Sequence, residues 1–196
     1  MTRIIAGTLK GRSVTVPKSV TRPTASRVRE ALFSAISHMI HDFEQLHVLD
    51  LFAGSGALGI EAISRGATHA TFMESDHKAS ECISKNLNDL LGVEVTAKNV
   101  HVHQRDVMQA TNSESNEQFN LVFIDPPYAM SDETIVVLLD QLSENNWLGS
   151  GAIVVVERSS KSNVEWPDSF DALQNKTYGD TSIWYGQYTP DRVETS

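Results

Sequence analysis

The sequence has 196 residues, 16 Lys and Arg against 25 Asp and Glu for a formal net charge of -9, 40% hydrophobic and 21% charged residues. Such values fit one globular domain, or one domain with an appendage, and speak against general disorder and fibrous repeats. Cys82 is the single cysteine, so no intrachain disulfide can form; with no signal-like or membrane-length apolar run in view, a cytoplasmic protein is expected.

The N-terminal segment is charged differently from the rest. Residues 1–29 contain Arg3, Lys10, Arg12, Lys18, Arg22, Arg27 and Arg29 and no acid, which leaves nine bases against 25 acids in residues 30–196. A basic head on an acidic body localises affinity for phosphates on a surface that otherwise repels them. Within the head, the β-branched runs RIIAG and RSVTV predict a small hairpin across Gly7 and Gly11. Pro23 breaks the pattern, Thr24 is a candidate N-cap, and apolar residues from Val28 to Phe43 recur at helical spacing, predicting a helix over about 26–43.

The apolar strand VLDLF follows and runs into AGSGALG, where Gly54, Gly56 and Gly59 have the spacing of a nucleotide-binding turn before a helix at about 57–65. Asp50 lies at the end of this strand. A dinucleotide would put its pyrophosphate on the helix N-terminus, where a carboxylate repels it; S-adenosylmethionine has an ammonium and a sulfonium, which a carboxylate attracts. The next strand, ATFME, ends in Glu74, 20 residues after Gly54, where a carboxylate can accept both ribose hydroxyls of either ligand. A helix over about 76–91 comes next. The strand HVHQRD ends in Asp106, a candidate acceptor for an adenine amino group. His101 and His103 share one face of this strand, but no ligand cluster accompanies them, and a surface or core role is expected. Residues 109–118 read as a polar loop.

The strand LVFI then leads into Asp125, Pro126, Pro127 and Tyr128. Two prolines terminate a strand, which leaves the flanking acid and aromatic unexplained. An exocyclic amine on a nucleobase is a poor nucleophile because its lone pair is delocalised into the ring. Asp125 can accept one N–H and the Pro126 carbonyl the other, while Tyr128 offers a face to an unstacked base. A helix over 131–143, the strand GAIVVVE, and the runs ALQNKTY and SIWYGQY, which predict an antiparallel hairpin, complete the chain. Trp184, Tyr185 and Tyr188 are expected to pack in the last strand, and Cys82 to act as a small core residue.

Alternating apolar strands and helices imply an α/β, Rossmann-like fold with a parallel sheet covered on both faces. The segments RIIAGTLKGR, TRPTASRVREALF, LDLFAGSGALGIEAISRGA and VFIDPPY together resemble the RsmD family of class I S-adenosylmethionine-dependent methyltransferases, which methylate N2 of a guanosine in bacterial 16S ribosomal RNA. The resemblance runs from Arg3 to about Tyr128 and continues weakly through the tail. It implies a seven-stranded mostly parallel sheet closed by the C-terminal hairpin, and a reaction that needs no metal. It also implies that Asp50, Phe52, Ala53, Gly54, Ser55, Gly56 and Gly59 hold the cofactor, joined by Glu74 with Ser75 and by Asp106 with Val107. Asp125 to Tyr128 would take the guanine amine. Arg3, Lys10, Arg12, Lys18, Arg22, Thr24, Arg27 and Arg29 would contact the RNA of small ribosomal subunits.

The layout expected is a basic extension over residues 1–25, a methyltransferase domain over 26–189 and a disordered tail over 190–196, acting as a monomer. Two other readings keep part of the pattern: an adenine-N6 DNA methyltransferase, which the DPPY motif alone permits, and an NAD-dependent oxidoreductase or nonenzymatic nucleotide-binding module.

Overall fold

Apolar runs in the sequence become buried strands, and the helical spacings become helices packed against them. The computed structural model describes residues 1–17, 26–40, 42–92 and 99–190. Lys18, Arg22, Thr24 and the expected tail beyond Pro190 lie outside the described residues. The chain divides into two units, Met1–Val107 and Met108–Ser196.

In the first unit, β1 (Thr2–Arg3) pairs antiparallel with β2 (Ser13–Val14), Thr2 opposite Val14. This hairpin is shorter than the sequence runs because the chain turns in between: Ile4 N–H bonds the Arg12 carbonyl, and Gly11 N–H bonds that of Ile4. Helix α1 (Ser26–Met39) buries Leu32, Phe33, Ala35 and Ile36. It stops short of the predicted Phe43 because Asp42 accepts the Glu44 N–H at 2.9 Å and Gln45 takes a positive φ of 68°, which together make a turn. Phe43 still reaches the core, its ring 6.2 Å from that of Phe33, which is why its spacing looked helical.

Strands β3 (His47–Leu51), β4 (His69–Met73) and β5 (Val100–His103) run parallel in the order β5-β4-β3. The crossovers are α2 (Ala57–Ser64) and α3 (His77–Leu91). Asp76 caps α3 by accepting the Ala79 N–H at 2.8 Å. Val48, Leu49 and Leu51 are fully buried, as expected of a parallel strand covered on both faces.

Helix α4 (Val107–Thr111) crosses the boundary between the units. In the second unit β6 (Phe119–Ile124), α5 (Asp132–Glu144) and β7 (Leu148–Ser159) form a parallel crossover, and β8 (Phe170–Tyr178) and β9 (Thr181–Tyr188) add the antiparallel hairpin, in the order β6-β7-β9-β8. The seven strands make the mixed sheet that the sequence led one to expect.

The polar segment 109–118 is corrected in part. Its first residues are helical, and the rest is tied to the end of α5: Thr111 donates to Gln141 at 2.7 Å, Asn145 to the Thr111 carbonyl at 2.8 Å, and Trp147 Nε1 to the Ser113 carbonyl at 3.0 Å. Among the described residues no helix is long and apolar enough to cross a membrane.

Candidate functional site

Leu51 ends β3, and the chain turns at once. Phe52 takes a positive φ of 61°, a conformation a bulky side chain rarely adopts, and Gly54 and Gly56 follow at 57° and 76°. The turn is pinned to β4 by Ala53 N–H bonding the Met73 carbonyl at 2.9 Å. Two carboxylates hold it from either side. Asp50, 2% exposed, accepts the Gly59 N–H at 2.9 Å. Glu74, half-buried, accepts the Gly54 N–H at 2.8 Å through one oxygen and the Asp76 N–H at 2.8 Å through the other.

Gly59 is required by close packing: a Cβ there would stand 2.3 Å from the Phe72 ring and 3.2 Å from the Asp50 carboxylate. The third glycine thus lets α2 lie against β4 while Asp50 reaches its backbone. Burial pushes the Asp50 carboxyl up to about 7, partly offset by the Gly59 hydrogen bond and reinforced by the charge of Glu74. A cation placed beside this carboxyl would favour its ionised form, and an anion would disfavour it further, as the charge of Glu74 already does. The backbone donors Gly54 N–H and Gly59 N–H, which a pyrophosphate would use, are both directed at carboxylates. The residues present therefore fit S-adenosylmethionine better than a dinucleotide.

Ser55 is buried and Ser75 exposed. Asp106 and Val107 follow β5, Asp106 exposed and Val107 buried.

In the second unit, Ile124 ends β6 and the Asp125-Pro126-Pro127-Tyr128 segment follows directly. Asp125 is half-buried, Pro126 buried and Pro127 exposed, and Tyr128 is 55% exposed, one of few large apolar side chains left so open among the described residues. The segment closes on itself where Met130 N–H bonds the Pro127 carbonyl at 2.9 Å. Arg158, on β7 and 5% exposed, then grips it: Nη2 donates to the Met130 carbonyl, while Nε and Nη2 donate to Asp132 Oδ1 at 3.0 and 2.9 Å. Asn163 N–H supplies the second oxygen of Asp132 at 3.1 Å. Desolvation works upward on the Asp132 carboxyl, but these donors outweigh it and hold it below the ordinary carboxylate range. Sequence reading missed Arg158, because nothing in VVVERSS announces a partner 26 residues away.

The basic arm is docked on α2. Glu61, fully buried, accepts the Ile5 N–H at 2.8 Å through one carboxylate oxygen and the Ala6 N–H at 3.0 Å through the other. Ser64 Oγ accepts the Leu9 N–H at 3.0 Å, and the Ser64 carbonyl the Thr8 N–H at 2.7 Å. Gly7 passes so near that a Cβ would fall 1.6 Å from the Ser64 carbonyl oxygen. Arg29 belongs to this docking and not to a phosphate-binding surface, a correction to the sequence reading. It is 1% exposed, donates to Thr2 Oγ1 at 3.1 Å and to the Arg3 carbonyl, and lies 3.9 Å from Glu61. Its charge is matched inside the fold, where RNA cannot reach. Arg3, Lys10, Arg12 and Arg27 are exposed. Arg12 also caps α3 through the carbonyls of Leu90 at 3.1 Å and Asp89 at 2.8 Å.

The aromatic expectations of the last strand hold for Tyr185, which is fully buried, and Tyr188 donates to the Ser143 carbonyl at 3.4 Å. Cys82 is half-buried on α3 and donates to the Thr15 carbonyl at 3.4 Å.

The family described as Conserved hypothetical protein 95 matches residues 2–187. The chain is 36% identical over 178 residues to ribosomal RNA small subunit methyltransferase D of Haemophilus influenzae, covering 90% of this chain and 89% of that one. A solved structure of the Escherichia coli protein yhhF superimposes with a TM-score of 0.80 at 33% identity, over 96% of this chain and 98% of that one. The RNA methyltransferase of Salinibacter ruber in complex with S-adenosyl-L-homocysteine shares the fold with a TM-score of 0.64 at 17% identity, over 88% and 97%.

Proposed function

On the premise that the chain belongs to the Conserved hypothetical protein 95 family, the RsmD family, we propose that it transfers a methyl group from S-adenosylmethionine to the exocyclic N2 of a guanosine in 16S ribosomal RNA. The cofactor assignment rests on one observation above others: Asp50 and Glu74 each take a backbone N–H of the glycine turn, an arrangement that suits a cationic ligand and disfavours a pyrophosphate. The substrate assignment rests on the DPPY segment, the exposed arm cations, and the name of the H. influenzae relative.

When bound, S-adenosylmethionine supplies an electrophilic methyl on a positively charged sulfur. Asp125 accepts one N–H of the guanine amine and the Pro126 carbonyl the other, so the nitrogen lone pair turns away from the ring. Tyr128 supports the base from its face. An amine attacking that methyl would displace the thioether and give up one proton, which the Asp125 carboxylate or water would take. The protein contributes positioning and a fixed field, with no covalent intermediate on the chain. Lys10, Arg3 and Arg12 neutralise RNA phosphates, which supplies affinity with little sequence information.

Incubating the protein with tritiated S-adenosylmethionine and small subunits lacking the modification tests the reading. Label in N2-methylguanine of 16S RNA is expected; label entering duplex DNA instead would move the assignment to an adenine-N6 enzyme.

A further inference from the structure

Asn86 belongs to neither motif, yet its amide touches both the arm and the glycine turn. It lies on α3, 4% exposed. Its Nδ2 donates to the Thr15 carbonyl at 2.8 Å and to the Ser55 carbonyl at 3.2 Å, while its Oδ1 accepts the Thr15 N–H at 2.9 Å. Thr15 thus gives one bond to Asn86 and receives one from it, as it would with a neighbouring strand, although β2 has ended at Val14, and Cys82 on the same helix also donates to the Thr15 carbonyl at 3.4 Å. The side chain continues the ladder and joins it to the turn.

The remainder of α3 strengthens the link. Arg12 reaches the carbonyls of Asp89 and Leu90 at the end of the helix. At its start, Asp76 N–H bonds Glu74, whose other oxygen holds Gly54. The arm and the turn are therefore fastened to the same helix, at Thr15 and Ser55 by a single side chain.

We propose that Asn86 is a positioning residue that sets the basic arm against the glycine turn, so that the grip on RNA and the cradle for the cofactor are held in one geometry. This rests on the function proposed above. A buried amide serving only the stability of the fold would lower the melting temperature without touching ligand affinity; a positioning amide changes both binding steps. Its effect is also communicated through bonds already made, so ligand at the turn should stiffen the arm.

Two measurements test this. In the unmodified protein, S-adenosylhomocysteine should slow amide hydrogen exchange at Thr15 and its neighbours together with residues 52–58. Asn86→Asp keeps the acceptor for the Thr15 N–H and removes both donors, leaving two carbonyls facing a carboxylate. In it and in Asn86→Ala, the Kd for S-adenosylhomocysteine and the KM for small subunits should each rise about fivefold or more, the scale of an unsatisfied buried polar group. Parental Kd and KM in a variant with a lowered melting temperature would reduce Asn86 to a structural role and overturn the inference. If neither variant folds, the exchange experiment decides: protection confined to the turn overturns it. A protein that binds no S-adenosylhomocysteine at all would overturn the proposed function, and the inference with it.

Discussion

Replacing Asp50 by Asn should make the unliganded protein more stable above neutral pH while weakening its hold on the cofactor. The carboxyl is 2% exposed, and burial raises its pKa from 3.8 to about 7. Because the folded value lies above the unfolded one, the native state keeps a proton that the unfolded state releases between about pH 4 and 7. Stability attributable to this group is intact below pH 4, falls as pH rises through that window, and is level above it. At 1.36 kcal/mol per pH unit the full difference is a ceiling of about 4 kcal/mol. The Asn side chain retains an oxygen for the Gly59 N–H and never ionises, so the variant should lack this part of the pH dependence. Urea unfolding of both proteins at pH 5 and 8 measures it, with the gap between them widening toward pH 8 in favour of the Asp50→Asn variant. Calorimetry with S-adenosylhomocysteine at pH 8 should show the reverse order, with affinity at least tenfold lower in Asp50→Asn. Parallel stability profiles for the two proteins would refute the buried-carboxyl reasoning, and unchanged affinity would refute its role toward the ligand's ammonium.

Asp125→Ala should abolish turnover, while calorimetry finds affinity for S-adenosylhomocysteine close to parental; a comparable loss of both would mean that Asp125 has been given the wrong role. Glu61→Ala leaves Arg29 buried without its counter-charge and the Ile5 and Ala6 N–H groups unmatched, and should cost about 3–5 kcal/mol in urea unfolding. A loss under 1 kcal/mol would show that the arm is not held this way. Substituting Arg3, Lys10 and Arg12 together should raise KM for small subunits and flatten its dependence on salt, whereas Lys10→Ala alone should leave the melting temperature in place because its side chain is exposed. Unchanged salt dependence in the triple variant would count against the arm as the RNA contact. Arg158→Ala should lower kcat with little change in cofactor affinity, since it holds Met130 and Asp132 behind the DPPY segment; parental kcat would show that the segment keeps its place unaided.

Much of the fold was legible because its strands are buried on both faces and read as unbroken apolar runs, as in VLDLF and NLVFI. The helices α2, α3 and α5 began within a residue of their predicted starts, and in the structure Asp76 and Ser131 cap α3 and α5 with their side chains. What stayed hidden depends on partners far along the chain. Arg29 looked like one more cation of the arm; it is buried because Glu61, 32 positions later, and the backbone of the first strand surround it. Asn86 and Arg158 belong to no motif, and their roles come from Thr15, Ser55, Met130 and Asp132. The glycine turn was legible as a shape and its two acids as candidates. That both acids occupy the turn's own N–H groups required the structure.

The central claim is tested most directly by identifying the labelled nucleoside after reaction of this protein with tritiated S-adenosylmethionine and unmodified small ribosomal subunits. The account predicts label in N2-methylguanosine from 16S RNA, absent with Asp125→Ala. Label on another base, or none in the presence of measurable S-adenosylhomocysteine binding, would contradict it.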